Sequence, residues 1–290
     1  PMSQNKWMED REGYVANLKH LAKDDPTEYA RIVEGKWVKQ QVGQGIFKEF
    51  FMESTHVKGN AAKGQRFVPQ PNFPITVGYD LGDVNNGVAL MQQVPLKDKT
   101  VWVQLDEIAT IGKKITLQSF VRIILSKINE VVMRGAEVKG LTAQQARRQF
   151  TVEHISDNSS LRFRAAGGDI EKNLIEELSA EELRNNPDVY PYVADPIVMA
   201  PAPKGDGSVE QRVRLLIDLL QNNRYLVDSG CKNSVDMFLN IVAKKDSIFA
   251  PQGRSPYKHI LDAITYPILY YSVNGTPAPR TERVEPMVYA

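Results

Sequence analysis

Apolar residues concentrate in three stretches in the middle of the chain, 75–81, 87–94 and 101–109, and short polar segments separate them. The third stretch alternates through Val101 and Val103, which is the period of a strand with one buried face. Branched residues are enriched in strands, and short polar connections join antiparallel neighbours. The pattern therefore predicts a three-stranded antiparallel meander.

The spacing of apolar residues changes to a helical period after the third strand. It predicts an amphipathic helix from Thr116 to Met133, which we expect Gly135 to end. A strand over 152–157 follows, and the last helix is expected at about 257–271. Shorter elements are predicted between these two, including helices over 170–178, 180–185 and 234–244 and a helix that Ser208 caps. Strands that alternate with helices predict an α/β layer fold.

The chain is predicted to divide into three segments. Residues 1–62 form a polar, helical segment that ends in a linker, 63–273 form the sheet domain, and 274–290 form a flexible tail. With 290 residues and 42% hydrophobic content, the chain can bury one large core or two small ones.

Composition excludes several classes of protein. No apolar run approaches the length of about 20 residues that a membrane-spanning helix needs, and the first residues lack the pattern of a secretory signal. The single cysteine, Cys231, leaves no internal disulfide and fits a reducing compartment. The net charge is +1, and basic pairs such as Arg212 and Arg214 are scattered. A soluble cytoplasmic protein is the expectation.

Asp80 is a lone carboxylate within the first predicted strand. A buried carboxylate must be charge-paired, hydrogen-bonded or metal-bound, because an isolated buried charge is very costly. Asp157 ends the strand that follows the amphipathic helix, and Asp262 lies on the last helix. His259 precedes Asp262 by three residues, so the two side chains share one face of that helix. The four residues are candidates for a single site.

Each candidate also has a purely structural interpretation. Asp80 could begin a turn, and Asp157 could cap a helix. Asp262 could pair with Lys258 one turn earlier, and His259 could be an ordinary surface or packed histidine.

Acids from two strands and a later helix are the ligands that a hydrolytic two-metal site requires. Mg²⁺ and Mn²⁺ prefer oxygen ligands. Two such ions, about 3.5–4 Å apart, activate an attacking water and stabilise the leaving oxygen of a phosphodiester. Glu107, which we expect to face solvent on the third strand, is the reserve ligand.

Five segments of the chain resemble the nuclease domain of tailed-bacteriophage large terminases. They are 29–38, 78–82, 154–157, 204–208 and 259–263, of which the first is similar to the segment that joins a terminase ATPase domain to its nuclease. The resemblance spans about residues 26–272. It implies a ribonuclease H-like fold, a mixed sheet of antiparallel meander and parallel strands with helices on both faces.

The resemblance also implies a function. Family members are endonucleases that cut double-stranded DNA with little sequence specificity and trim concatemeric viral genomes during packaging into procapsids. The expected cofactors are two Mg²⁺ or Mn²⁺ ions. The expected partners are DNA, the portal protein, the small terminase subunit and the ATPase domain of the same full-length protein. Such a protein works in the host cytoplasm, transiently at the procapsid portal vertex, and not in a membrane.

The site residues follow from the same resemblance, position by position. Asp80, Asp157 and Asp262 match the family's metal-binding aspartates, and some members place a histidine like His259 beside the third. Lys204 is expected near DNA phosphate. Positive side chains bind phosphates without reading bases. The further candidates for such contacts are Arg162 and Arg164.

Other functions remain open at this level. The phosphate-loop signature of an ATPase is absent, since the Gly-Lys steps at 35–36 and 112–113 are followed by Trp37 and Lys114. The stretch 78–87 also resembles the first phosphate loop of actin-like and Hsp70-like ATPases. A Holliday-junction resolvase or transposase would use the same acids on the same sheet. A non-catalytic DNA-binding module is the remaining alternative.

Overall fold

The structure is a computed structural model that describes residues 45–81, 86–96, 99–157, 169–203, 205, 207–244, 247–252 and 255–275. The strands, in chain order, are β1 Val57–Lys58, β2 Ile75–Asp80, β3 Gly87–Leu96, β4 Lys99–Ala109, β5 Val152–Ser156, β6 Met199–Pro201, β7 Tyr225–Asp228, β8 Ala243–Lys244 and β9 Ser247–Pro251. The α-helices are α1 Glu53–His56, α2 Leu117–Lys139, α3 Ala143–Gln149, α4 Asp169–Asn185, α5 Ser208–Gln221, α6 Lys232–Asn240 and α7 Lys258–Asn274.

Seven strands form one sheet in the order β1-β7-β4-β3-β2-β5-β6. The predicted meander is confirmed, because β2 with β3 and β3 with β4 pair antiparallel. The remaining neighbours pair parallel, so every strand except β3 runs in one direction. Their carboxyl ends meet at one side of the sheet, which we name the carboxyl edge. It is marked by Asp80, Ala109, Ser156, Pro201 and Asp228.

Helices cover both faces of this sheet. One hydrophobic core joins the sheet to α2 and α4, and a second joins it to α5, α6 and α7. The amphipathic helices bury their apolar sides against the strands, which is the usual solution for a mixed sheet. The predicted α/β class, with a mixed sheet of antiparallel meander and parallel strands and helices on both faces, is confirmed.

The end of α2 differs from the prediction. The helix passes through Gly135 and ends at Lys139, where Gly140 adopts a left-handed conformation with φ 63°. A Cβ atom on Gly135 would lie 2.7 Å from the Phe150 ring and 2.8 Å from Pro69. Gly135 is therefore required by close packing within the helix. Gly140 supplies the positive φ that commonly ends one.

Several other boundaries also differ. The two helices predicted over 170–185 form the single helix α4, and Gly207 rather than Ser208 holds the N-cap position of α5. The helix predicted over 234–244 begins at Lys232 and ends at Asn240, and β8 follows it.

The sheet domain begins earlier than the predicted boundary at residue 63. Strand β1 pairs in parallel with β7, with Val57 opposite Val227, so this short segment belongs to the sheet. The backbone N–H of Ile46 also donates to the carbonyl of Ile241. Residues 45–62 therefore belong to the domain. The other residues of the predicted N-terminal segment over 1–62, which are 1–44, and residues 276–290 of the predicted tail over 274–290 lie outside the described residues.

Helix α7 makes very close contact with β2 and β3. A Cβ atom on Gly78 of β2 would lie 2.0 Å from the Ala263 carbonyl oxygen and 2.7 Å from Pro267. One on Gly87 of β3 would lie 2.3 Å from the His259 carbonyl oxygen. In a helix, the Ala263 carbonyl would accept a hydrogen bond from the N–H of residue 267, but Pro267 has no N–H. The Ala263 carbonyl therefore faces the sheet without losing a helical hydrogen bond. The two glycines thus set the distance between the helix and the strand ends.

We predict that Gly78→Ala destabilises the protein by about 1–3 kcal/mol or more, because the added methyl group overlaps the helix backbone and neither element can move freely. Gly205→Ala is the matched control, since nothing lies within 4 Å of a Cβ atom at that position. Urea unfolding of both variants measures the difference. Equal unfolding free energies in the two variants would contradict the close contact.

Candidate active site

Asp80 and Asp157 lie side by side at the carboxyl edge. Asp80 is the last residue of β2, Asp157 directly follows β5, and the parallel register pairs Tyr79 with Ser156. Successive side chains alternate between the faces of a sheet. Tyr79 belongs to the core beneath α2, while Ile155 belongs to the core beneath α7. Both carboxylates therefore lie on the face that α7 covers.

His259, in the first turn of α7, meets Asp80 directly. Its Nδ1 atom lies 2.5 Å from Oδ2 of Asp80. The hydrogen bond to this carboxylate raises the pKa of His259 above its ordinary value, although partial burial opposes the shift. A carboxylate only accepts, so Nδ1 of His259 carries the hydrogen of this bond. The contact joins the strand and helix candidates that the sequence placed 179 residues apart.

Asp262 is buried, with 4% of its surface exposed. Nη1 of Arg212 donates to Oδ1 of Asp262 at 2.9 Å, and Nζ of Lys258 lies 3.8 Å from Oδ2. The predicted alternative of a pair with Lys258 is thus present, but Arg212 is the closer partner. Burial raises the pKa of Asp262, the nearby charge of Asp80 adds to the shift, and Arg212 opposes it.

Arg212 is the residue that the sequence analysis missed. It lies on α5 and is only 3% exposed. Besides Asp262, its guanidinium group donates to Oγ1 of Thr265 at 3.2 Å and lies 4.2 Å from the centre of the Tyr266 ring. A sequence signal existed, because Arg212 precedes the core residue Leu216 by four positions and so lies on the apolar face of its helix.

Tyr266 connects this arginine to the strand acids. Its hydroxyl group donates to Oδ2 of Asp157 at 3.2 Å, beneath the Arg212 guanidinium. Burial raises the pKa of Tyr266 far above its ordinary value, and the charges of Asp262 and Asp80 reinforce the shift. Tyr266 therefore remains a neutral donor. Through this residue, Asp157 joins the network of Arg212 and Asp262.

Glu107 does not behave as expected. It is buried rather than facing solvent. Its two carboxylate oxygens accept hydrogen bonds from the backbone N–H and the side chains of Asn233 and Ser234, at 2.5–2.9 Å. These residues form the first turn of α6, where backbone N–H groups lack partners within the helix. Four donors occupy Glu107, which weakens the prediction that it is a reserve metal ligand.

The predicted DNA contacts at Lys204, Arg162 and Arg164 lie outside the described residues. Their roles stay predictions.

The donor set suits a hard divalent cation, because it offers carboxylate oxygens from two adjacent strand ends and one helix. Among the described residues, however, no three His, Cys, Asp or Glu side chains surround a common point. His259 hydrogen-bonds Asp80 and Arg212 forms an ion pair with Asp262 in this conformation. The three aspartates thus have the chemistry of divalent-metal ligands, and in the structure their oxygens bind His259, Tyr266 and Arg212.

No family model and no curated protein matches the chain. Solved structures do. The large terminase of a thermophilic bacteriophage, in complex with ADP, is 18% identical, and the match covers 91% of this chain and 52% of that one, with a TM-score of 0.48. The nuclease domain of the P22 large terminase is 17% identical over 77% of this chain and 90% of its own, with a TM-score of 0.48. The chain resembles phage large terminases.

The resemblance to terminase nuclease domains that the sequence predicted is confirmed. A further similar structure is the large terminase nuclease domain of bacteriophage SPP1 with bound Mn. It is 14% identical, and the match covers 78% of this chain and 98% of that one, with a TM-score of 0.36. The chain spans about half the length of the ADP-bound terminase. With identities of 14–18% and TM-scores of 0.36–0.48, any function of the chain must be argued from its own residues.

We predict that the pKa of His259 falls towards about 6.5, the ordinary value for histidine, in Asp80→Asn, because the variant loses the carboxylate that stabilises the imidazolium. A metal-free NMR titration of the ring signals measures the shift. The raised pKa in the folded parent means that the pair stabilises the protein fully below about pH 6.5 and loses this effect as pH rises through the raised value. An unchanged His259 pKa in the variant would contradict the contact.

We predict that Arg212→Met destabilises the protein by about 3–5 kcal/mol, because it leaves the Asp262 carboxylate buried without its closest cation. Adding Asp262→Asn should recover part of the loss, and urea unfolding of the two single variants and the double variant measures the coupling. Arg148→Met, at an exposed site on α3, is the control and should change stability little. Independent, additive losses would argue against the buried pair.

Proposed function

We propose that the chain is a divalent-metal-dependent endonuclease that hydrolyses phosphodiester bonds of double-stranded DNA with little sequence preference. One observation carries the proposal. Asp80 and Asp157 end adjacent parallel strands, and the helix that bears His259 and Asp262 lies directly over them. Ligand sites in open α/β sheets commonly lie outside the carboxyl ends of the strands.

The three aspartates would hold two Mg²⁺ or Mn²⁺ ions. When bound, such ions lower the pKa of a water molecule and neutralise charge on the departing oxygen of a phosphodiester. His259 is placed by its contact with Asp80 to orient a water or to accept its proton. Arg212 fixes Oδ1 of Asp262, so this carboxylate is oriented before any substrate arrives.

The sequence segments that resemble large terminases support a role in genome packaging. We infer that the full-length protein also contains an ATPase domain, and that it acts with the portal protein and the small terminase subunit at the procapsid portal in the host cytoplasm. The nuclease would then cut concatemeric DNA. Among the described helices, none combines the length and apolar character that crossing a lipid bilayer requires.

The alternative functions lead to different assays. A junction resolvase or transposase would use the same carboxylates but prefer branched or transposon-end DNA over linear duplex. An actin-like ATPase would bind nucleotide tightly in an Asp80-dependent way. The described residues form one large sheet with a small hairpin, β8–β9, and show no second lobe of the kind that such ATPases need.

We predict that Asp80→Asn, Asp157→Asn and Asp262→Asn each lower the rate of duplex cleavage at least about 100-fold with Mg²⁺ or Mn²⁺, because each removes a charged ligand from the reacting centre. Asp236→Asn, an exposed acid on α6, is the control and should cleave like the parent. Supercoiled plasmid converted to linear DNA measures the rate.

Chelation with EDTA should stop cleavage by the parent chain and leave its DNA binding measurable. Cleavage that persists in EDTA, or that survives all three aspartate substitutions, would contradict the proposed metal-dependent mechanism.

A further inference from the structure

Four exposed lysines lie along one half of the carboxyl edge. Lys113 and Lys114 follow β4, Lys232 follows β7, and Lys63 follows β1. The sheet order places these three strands next to one another, on the side of β2 away from β5. We name these four residues the lysine rim. Among the described residues, no ion pair involves any of their ammonium groups.

The loops that carry the rim are anchored to the strand ends. The N–H of Thr110 donates to the carbonyl of Asn86 at 3.0 Å, and the N–H of Asn86 donates to Oγ1 of Thr110 at 2.8 Å. These bonds fix the start of the loop that holds Lys113 and Lys114. The N–H of Ala61 donates to Oγ of Ser229 at 2.9 Å, which fixes the turn that holds Lys63.

The acids of this region are already neutralised inside the protein. Arg66 binds Asp228 at 2.5 Å and Asp106 at 3.1 Å, and both carboxylates are buried. Lys127 adds a second cation to Asp106 at 3.5 Å. Glu107 is buried under the four donors of α6. The outward-facing lysines therefore keep their positive charge available to a partner.

The rim is also at a suitable distance from the candidate active site. Neighbouring strands lie about 4.8 Å apart, so two strand spacings, about 10 Å, separate β4 from β2 and its terminal Asp80. Two further spacings lead from β4 across β7 to β1. Duplex DNA carries one charge for about every 1.7 Å of its axis. A duplex over the carboxylates would therefore present several phosphates to these lysines.

We propose that the lysine rim binds the phosphate backbone of duplex DNA on the β4–β7–β1 side of the candidate active site. The proposal rests on the nuclease function proposed above and adds the path that the substrate takes. Lysines contact phosphates as point charges and do not read bases, which fits a nuclease without sequence preference.

The test is the salt dependence of DNA binding by the 290-residue chain in EDTA, where no cleavage is expected. Fluorescence anisotropy with a labelled duplex gives the binding constant at several salt concentrations. The plot of log K against log[salt] has a negative slope. Replacing all four rim lysines by glutamine should reduce the magnitude of that slope by about 0.9 for each phosphate that the variant no longer neutralises, with smaller changes for single variants.

Lys99→Gln with Lys139→Gln is the matched control, since these residues lie at the start of β4 and the end of α2, on the opposite edge of the sheet. Its slope should match that of the parent. If the parent binds duplex but the rim and control variants have equal slopes, the proposed role of the lysine rim is wrong and the nuclease proposal stands. The same holds if the rim lysines bind an acidic protein surface and not DNA. A parent chain that binds no duplex would overturn the proposed nuclease function as well.

Discussion

The close contact between α7 and the sheet is the constraint on which the rest of the structure depends. Gly78 and Gly87 leave no side chain between the helix and the two strands, so the helix backbone rests on the strand backbone. This spacing brings His259 within hydrogen-bonding distance of Asp80. A helix that packs on a sheet through intervening side chains stands further from the strands, and its backbone does not touch theirs. The glycines thus determine whether the acids of the strands and the helix form one site.

Gathering carboxylates in this way creates a problem of charge, which the protein solves with its own cations. Arg212 forms an ion pair with Asp262, His259 hydrogen-bonds Asp80, and the Tyr266 hydroxyl group donates to Asp157. Burying these groups is expensive, and the gain depends on every donor and acceptor having a partner. The result is a connected set of side chains in which each of the three aspartates has a protein partner. A metal would compete with those partners for the same oxygens.

Local patterns predicted the parts of the structure that local chemistry determines. Alternating apolar residues identified the meander, and the position of Asp80 within a buried strand identified the first acid of the site. The spacing of His259 and Asp262 placed both on one helix face. The fold class could therefore be predicted from the sequence, as could the places of Asp80 on a strand and of His259 and Asp262 on one helix.

The remainder depends on contacts between distant segments. The helical spacing places Arg212 on the apolar face of α5, but its partner Asp262 lies on α7, 50 residues later, and this contact makes it part of the site. Glu107 is covered by donors of α6, and these lie 126 and 127 residues further along the chain, beyond the reach of any local pattern. Gly135 resembled a helix end because glycine commonly ends helices. The residues that require a glycine there, Phe150 and Pro69, lie outside the helix and are not visible in the local sequence. Strand β1 has two residues, too few for any periodicity.

The central claim is that Asp80, Asp157 and Asp262 form one divalent-metal site at the carboxyl edge. Anomalous diffraction from crystals of the chain soaked in Mn²⁺ tests it most directly, because the peak reports the position of the ion independently of catalytic activity. We expect anomalous peaks among these three carboxylates, and we expect the hydrogen bond between His259 and Asp80 to lengthen or break. Strong Mn²⁺ peaks elsewhere on the protein and none between the three aspartates would contradict it.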